Sequence, residues 1–288
     1  MLAAIWGSSF LFMRLGTVAF GPWATAGLRV AIATLFLLPV IIVRGHGPAF
    51  ARHWRGTLYV GVFNSALPFV GITYALQFIS TGLSSILNAA VPLFGALVAW
   101  GWLGERPKRG PALGLIVGFI GVALLAGDKA GLRPDVSASQ GVLAVLSCLG
   151  ACLCYAYSAS YTKRHLSGVP ALLTAGGSQL GASLALLLPT LMTWPQHEVP
   201  ASAWGAALAL GVVCSGLAYI LYFRLITQVG PVRALSVTFV VPVFALLYGA
   251  LFLHERISLW MLSCAAIIIA GTALSANLLR WRPAAARA

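Results

Sequence analysis

Long apolar runs follow one another along this chain, each close to the length of a membrane-crossing helix and each ended by a short polar or basic stretch. Crossing the hydrocarbon core takes about 20 residues of helix. Hydropathy places ten such spans, at about 2–20, 23–43, 56–78, 81–103, 110–127, 140–161, 171–193, 203–225, 231–253 and 258–279. The pattern predicts an all-α integral membrane protein. Its connections are too short to hold a folded extramembrane unit, so residues 1–288 are expected to form one membrane domain.

Composition narrows the function. Of the 288 residues 60% are hydrophobic and 8% charged, against about 25% charged in a soluble domain. A soluble enzyme, a fused ATPase, a DNA-binding module and a disulfide scaffold are all excluded. The net charge of +13 is explained by its placement. Arg44, Arg52, Arg55, Arg106, Lys108, Arg109, Lys163, Arg164, Arg224, Arg233, Arg280, Arg282 and Arg287 fall on one side of the ten spans. The other side holds only Lys129, Arg133 and Arg256, with Asp128, Asp135, Glu198 and Glu255. By the positive-inside rule both termini are cytoplasmic. The basic residues therefore set orientation in a cytoplasmic (inner) membrane, and the partner is the lipid bilayer, not nucleic acid. The first span has no charged flank or small-residue cleavage site, so it is not read as a signal peptide. Cys148, Cys152, Cys154, Cys214 and Cys264 lie in apolar runs without a C-x-x-C pair. They read as small buried hydrophobes, and neither a metal nor a cofactor is expected.

An internal repeat organises the chain. At an offset of 150 residues Arg14 meets Arg164, Pro39 meets Pro189, Trp54 meets Trp204 and Gly61 meets Gly211. Val91-Pro92 meets Val241-Pro242, Glu105-Arg106 meets Glu255-Arg256, and Gly121 meets Gly271. Two units follow, repeat 1 over 1–127 and repeat 2 over 140–279. Each holds five spans, an odd number, so the second enters the membrane from the opposite side. That is a 5+5 inverted-topology repeat, which in secondary transporters places substrate at the repeat interface near the midplane.

The run Trp6-Gly7-Ser8-Ser9-Phe10, the Leu28-Arg29-Val30 of span two, and the stretch from Asn88 through Pro92 to Gly104-Glu105-Arg106-Pro107 resemble the EamA branch of the drug/metabolite transporter superfamily. The resemblance covers essentially the whole chain. It implies a ten-helix carrier exporting small metabolites, often amino acids, through a central cavity. Size and repeat also resemble the aromatic amino-acid exporters of that superfamily.

Candidate chemistry gathers at broken helix centres. A proline in a membrane helix leaves the carbonyl four residues earlier without its donor. Pro92 releases Asn88, Pro242 releases Thr238 and Pro68 releases Asn64, and the three prolines are candidate hinges. A zwitterionic amino acid needs donors for its carboxylate, which Asn88, Ser84 and Ser9 supply, and acceptors for its ammonium, which the freed carbonyls supply. Tyr157, Tyr219, Tyr222 and Trp6 are candidate stacking faces for an apolar or aromatic side chain. Arg29 and Arg14 lie near the outer ends of their spans, so interfacial anchoring by snorkelling is expected, with a carboxylate-binding role as the alternative. No Asp, Glu or His lies at a span centre, which points to facilitated rather than proton-driven transport. Gly110, Gly114 and Gly118 predict close packing within the chain, and a monomer is expected. Metalloprotease and aspartyl-protease motifs are missing, so no enzyme is expected. A broad drug exporter and a sugar-phosphate or nucleotide-sugar exchanger remain as alternatives, and alternating access is the expected mechanism.

Overall fold

A computed structural model describes residues 1–127, 131–133, 136–222 and 237–276. Among the described residues the protein is all-helical, apart from one isolated antiparallel bridge between Ile79 and Leu132. The helices are α1 (Leu2–Val43), α2 (Gly47–Ala75), α3 (Thr81–Leu103), α4 (Arg109–Ala126), α5 (Ala138–His165), α6 (Ala171–Met192), α7 (Ala201–Tyr222), α8 (Val237–Leu253) and α9 (Leu259–Ser275). The first seven are each long and apolar enough to cross a membrane, and α8 and α9 are shorter apolar helices. Exposed Leu35, Leu113, Ile116, Leu188 and Val243 cover the outside of the bundle, as lipid contact requires.

The helices are interrupted where the sequence cannot continue the ladder. Helix α1 bends at Gly21, whose φ of 79° and ψ of 170° leave the helical region. Only glycine adopts that backbone at little cost, and Pro22 then restarts the helix without needing a donor. Helix α2 has a π-helical turn over Val62–Ala66, immediately before the α-helical stretch that contains Pro68. Helix α3 breaks between its segments Thr81–Asn88 and Val91–Leu103. There the Ala89 and Ala90 amides tighten onto the carbonyls of Ile86 and Leu87 at 3.1 and 3.0 Å. Helix α7 has a longer π-helical stretch over Ala209–Leu217. Pro242, the sequence twin of Pro92, behaves differently, because α8 runs through it as a single helix. One missing N–H does not end a helix by itself. In α3 the preceding turn also changes its hydrogen-bond spacing.

Helices from the beginning of the chain pack on helices from the end. Helix α1 lies against α6, α7 and α8, α2 against α5 and α6, and α3 against α5 and α8. The longest contact is α4 along α9. A Cβ at Gly114 would meet the Ser275 amide and the Gly271 carbonyl, and one at Gly271 would meet the backbone of Gly118. Gly114 and Gly118 of the expected row thus face a neighbour within the chain, whereas nothing lies near Gly110. Because backbone meets backbone, no rotamer change relieves a substitution. Gly271→Ala is expected to destabilise the protein by about 1–3 kcal/mol, read as a lower melting temperature in detergent, with Gly110→Ala unchanged. Equal melting for both variants would contradict the packing.

Candidate functional site

The interruptions of α2, α3 and α7 contribute residues to one cavity of about 270 Å³ enclosed between the helices. The arm of α1 before Gly21 contributes Trp6, Ser9, Phe10 and Met13, and the arm after it contributes Arg29. Helix α2 supplies Asn64, Phe69 and Ile72, and α3 supplies Ser85, Asn88, Val91 and Pro92. Tyr155 comes from α5, Cys214, Tyr219 and Tyr222 from α7, and Thr238 and Val241 from α8. Asn64 sits in the π-helical turn of α2, Asn88 at the break in α3, and Cys214 in the π-helical stretch of α7. A helix that departs from α geometry re-aims its polar groups inward.

Of the residues expected at a site, Trp6, Ser9, Asn64, Asn88, Tyr219, Tyr222 and Thr238 line this cavity together with Pro92. Trp6 and Tyr222 pack with ring centroids 5.2 Å apart. Asn64 Nδ2 donates to the Tyr219 hydroxyl at 3.3 Å. The Ser9 hydroxyl donates to the Trp6 carbonyl at 2.6 Å. Asn88 Oδ1 is buried without a hydrogen-bond partner.

Ser84 and Tyr157 lie elsewhere. Ser84 is fully buried and its hydroxyl lies 3.4 Å from the Cys148 thiol. It faces α5, because successive helical residues turn by about 100°, and Ser85 is the serine that lines the cavity. Tyr157 stacks on Trp102 at 5.1 Å and shares a 2.9 Å hydrogen bond with Tyr59. With Phe63 and Tyr161 these rings form a separate aromatic cluster. Tyr155, two residues earlier, is the cavity tyrosine of α5, and sequence reading missed it. A signal was present, since Tyr155 continues the 4- and 3-residue spacing of Cys148 and Cys152, the buried stripe of that helix.

Arg29 corrects the snorkelling expectation. It is only 6% exposed, because its face of α1 also carries buried Ala26, Val30 and Ala33. Nε donates to the Ser215 hydroxyl at 3.0 Å, Nη1 points at the Met13 sulfur at 3.2 Å, and the guanidinium lies 3.8 Å from the centre of the Phe69 ring. Arg14 is less buried and donates to the Leu76 carbonyl at 3.0 Å.

The two matched glutamates differ in their contacts. Glu255 accepts from the Thr81 amide through both oxygens, at 3.0 and 2.9 Å, and from the Thr81 hydroxyl at 2.7 Å. It thereby neutralises unpaired donors and the positive end of α3. Arg133 lies 3.5 Å from the same carboxylate. Residues 131–133 are tied in turn to the start of α3, with the Ser80 amide on the Gly131 carbonyl and the Arg133 amide on Phe78. Partial burial pushes the Arg133 guanidinium below its usual value, and Glu255 opposes that shift. Glu105 instead meets Lys163 at 2.6 Å in an exposed pair, a kind worth little. Position 231, the counterpart of Thr81, lies outside the described residues, as do Asp128, Lys129, Asp135, Arg224, Arg233, Arg280, Arg282 and Arg287.

Apolar membrane-length helices around a central cavity lined by polar and aromatic groups define a multi-pass integral membrane protein of transporter type. The chain belongs to the EamA-like transporter family, whose model matches residues 1–127 and again 142–277. It is 27% identical over 279 residues to the uncharacterized transporter YvbV of Bacillus subtilis, covering 95% of this chain and 88% of the relative. To the uncharacterized inner membrane transporter YedA of Escherichia coli K12 it is 26% identical over 253 residues, covering 86% and 79%. A probable terminal-alkyne amino-acid exporter of Streptantibioticus cattleyicolor is 38% identical over 118 residues, 38% of this chain and 40% of that protein. A solved crystal structure with 20% identity shares the fold, with a TM-score of 0.69 over 96% of this chain and 94% of that one.

Glu255→Gln removes the charge that meets both the start of α3 and Arg133. Losing charge-assisted hydrogen bonds is expected to cost about 1.5–3 kcal/mol locally. Hydrogen exchange at the Thr81 and Gly82 amides should accelerate by roughly tenfold or more. Unchanged protection at those two amides would rule out the capping role.

Proposed function

We propose that the protein exports amino acids with apolar or aromatic side chains by alternating access, as a facilitated carrier in the cytoplasmic membrane that works as a monomer. The observation that carries this reading is the cavity wall. Trp6, Phe69, Tyr155, Tyr219 and Tyr222 offer ring faces, while Asn64, Asn88 and Arg29 offer hydrogen-bonding groups beside them. A substrate with one polar end and one apolar end matches that division. The name of the Streptantibioticus relative, an amino-acid exporter, agrees in substrate class.

The architecture we infer is ten spans in two inverted units of five with both termini cytoplasmic. Counting α1 as two spans, one on each side of Gly21, supports ten, and the double family match supports a repeat. In this reading Glu255, Thr81 and Arg133 close the external end. The units rock about the interruptions near Pro68 and Pro92 and about Pro242. The cavity lining among the described residues contains no Asp, Glu or His, which supports transport without a proton relay. The single arginine of the described lining fits a singly charged group better than a phosphorylated sugar, for which paired cations are the usual solution.

Counterflow in proteoliposomes tests the proposal. Vesicles preloaded with phenylalanine or tryptophan should accumulate the labelled amino acid transiently, to the same extent with and without an imposed pH gradient. Asn88→Ala should raise the half-saturating concentration about tenfold, equivalent to about 1.4 kcal/mol. Failure of every amino acid tried to exchange would refute the substrate class. Accumulation driven by the pH gradient would refute the facilitated mechanism.

A further inference from the structure

Among the described residues no acidic side chain pairs with Arg29. Its contacts are the Ser215 hydroxyl, the Met13 sulfur and the Phe69 ring, all neutral. The ion pairs among the described residues are Arg133 with Glu255 and Lys163 with Glu105, and neither involves Arg29. Removing a guanidinium from water carries a penalty of several kcal/mol, which neutral contacts offset only in part. An ionisable side chain in such a position serves a ligand or an ion path. Those contacts leave other guanidinium donors for a planar, two-oxygen acceptor, the geometry in which arginine binds carboxylate most strongly. The remaining polar groups are of another kind. Asn88 Oδ1, buried and without a partner, is a neutral acceptor that an ammonium can use but that does not demand one. Among the described residues the cavity therefore answers a negative pole with a full charge and a positive pole with dipoles.

We infer that Arg29 is the carboxylate anchor of this carrier and that its substrate class is apolar and aromatic monocarboxylates, with the α-ammonium accommodated but not required. This deepens the proposed function and rests on its reading of the central cavity as the substrate site. An amine without a carboxylate brings a positive charge to Arg29 and is excluded. A dicarboxylate leaves its second charge unpaired against rings and is excluded too.

The test uses the full chain in lipid nanodiscs, with binding of phenylalanine, phenylpyruvate, phenethylamine and phenylsuccinate measured calorimetrically. Phenylalanine and phenylpyruvate are expected to bind within a few-fold of each other, and phenethylamine and phenylsuccinate at least tenfold more weakly. Arg29→Gln is expected to weaken phenylpyruvate binding at least tenfold, with partial recovery in Arg29→Lys. If Arg29→Gln does not fold, the order of the four ligands on the unaltered chain still decides. Phenethylamine binding as tightly as phenylalanine overturns the inference and leaves an aromatic amine or amino-acid site standing. Phenylpyruvate binding without phenylalanine binding overturns the inference as stated, because the ammonium is then not accommodated, and removes the amino-acid reading with it. No binding by any of the four overturns the inference.

Discussion

A helix surrounded by lipid has no water to complete its backbone hydrogen bonds, so each amide and carbonyl must find a partner in the protein. In this chain the distinctive geometry lies where that ladder is interrupted. The bend at Gly21, the π-helical turns of α2 and α7 and the break after Asn88 lie on helices whose side chains meet at one cavity. The interruptions of α2, α3 and α7 are tolerated because they face the protein interior, whereas the Gly21 bend lies between two spans. They are useful because they turn polar groups towards a space that can receive a ligand. Aromatic rings fill the wall between them, so the cavity alternates apolar faces with a few hydrogen-bonding groups.

How much of this the sequence revealed depends on the kind of information required. The position of a residue along a membrane helix follows from hydropathy and from proline, and counting back four residues from Pro68, Pro92 and Pro242 led to Asn64, Asn88 and Thr238, all of which line the cavity. Direction around the helix is harder, because one residue changes it by about 100°. That difference separates Ser84, turned onto Cys148, from Ser85 in the cavity wall, and Tyr157, stacked on Trp102, from Tyr155. Arg29 escaped for the same reason. Its depth placed it within reach of an interface, whereas its direction, shared with Ala26 and Ala33, points inward. The unbroken course of α8 through Pro242 was also hidden, since a proline marks a missing donor without saying how the neighbouring turn responds.

Packing sets which parts can move together. The glycine contact between α4 and α9 brings backbone against backbone, which makes that pair a stiff element of the bundle. Glu255 adds a different kind of joint. Hydrogen bonds on the first turn of α3 and an ion pair to the 131–133 turn hold three separate parts of the chain through one carboxylate. The exposed pairing of Glu105 with Lys163 joins only two. Sequence repetition thus supplies similar residues at matched positions without making their environments the same.

The bend in α1 has a mechanical meaning. No loop separates its two arms, only Gly21 and Pro22, and the Thr73 hydroxyl of α2 lies 3.0 Å from the Pro22 carbonyl and 2.7 Å from the Phe69 carbonyl of its own helix, so the corner rests against α2. Trp6 stands on one arm and Arg29 on the other. A V-shaped piece with its corner against α2 works as a caliper, with an aromatic ring on one jaw and a positive charge on the other. The opening between those jaws is governed by the backbone angle at a single glycine, so one pair of dihedrals gauges how far apart the two arms stand.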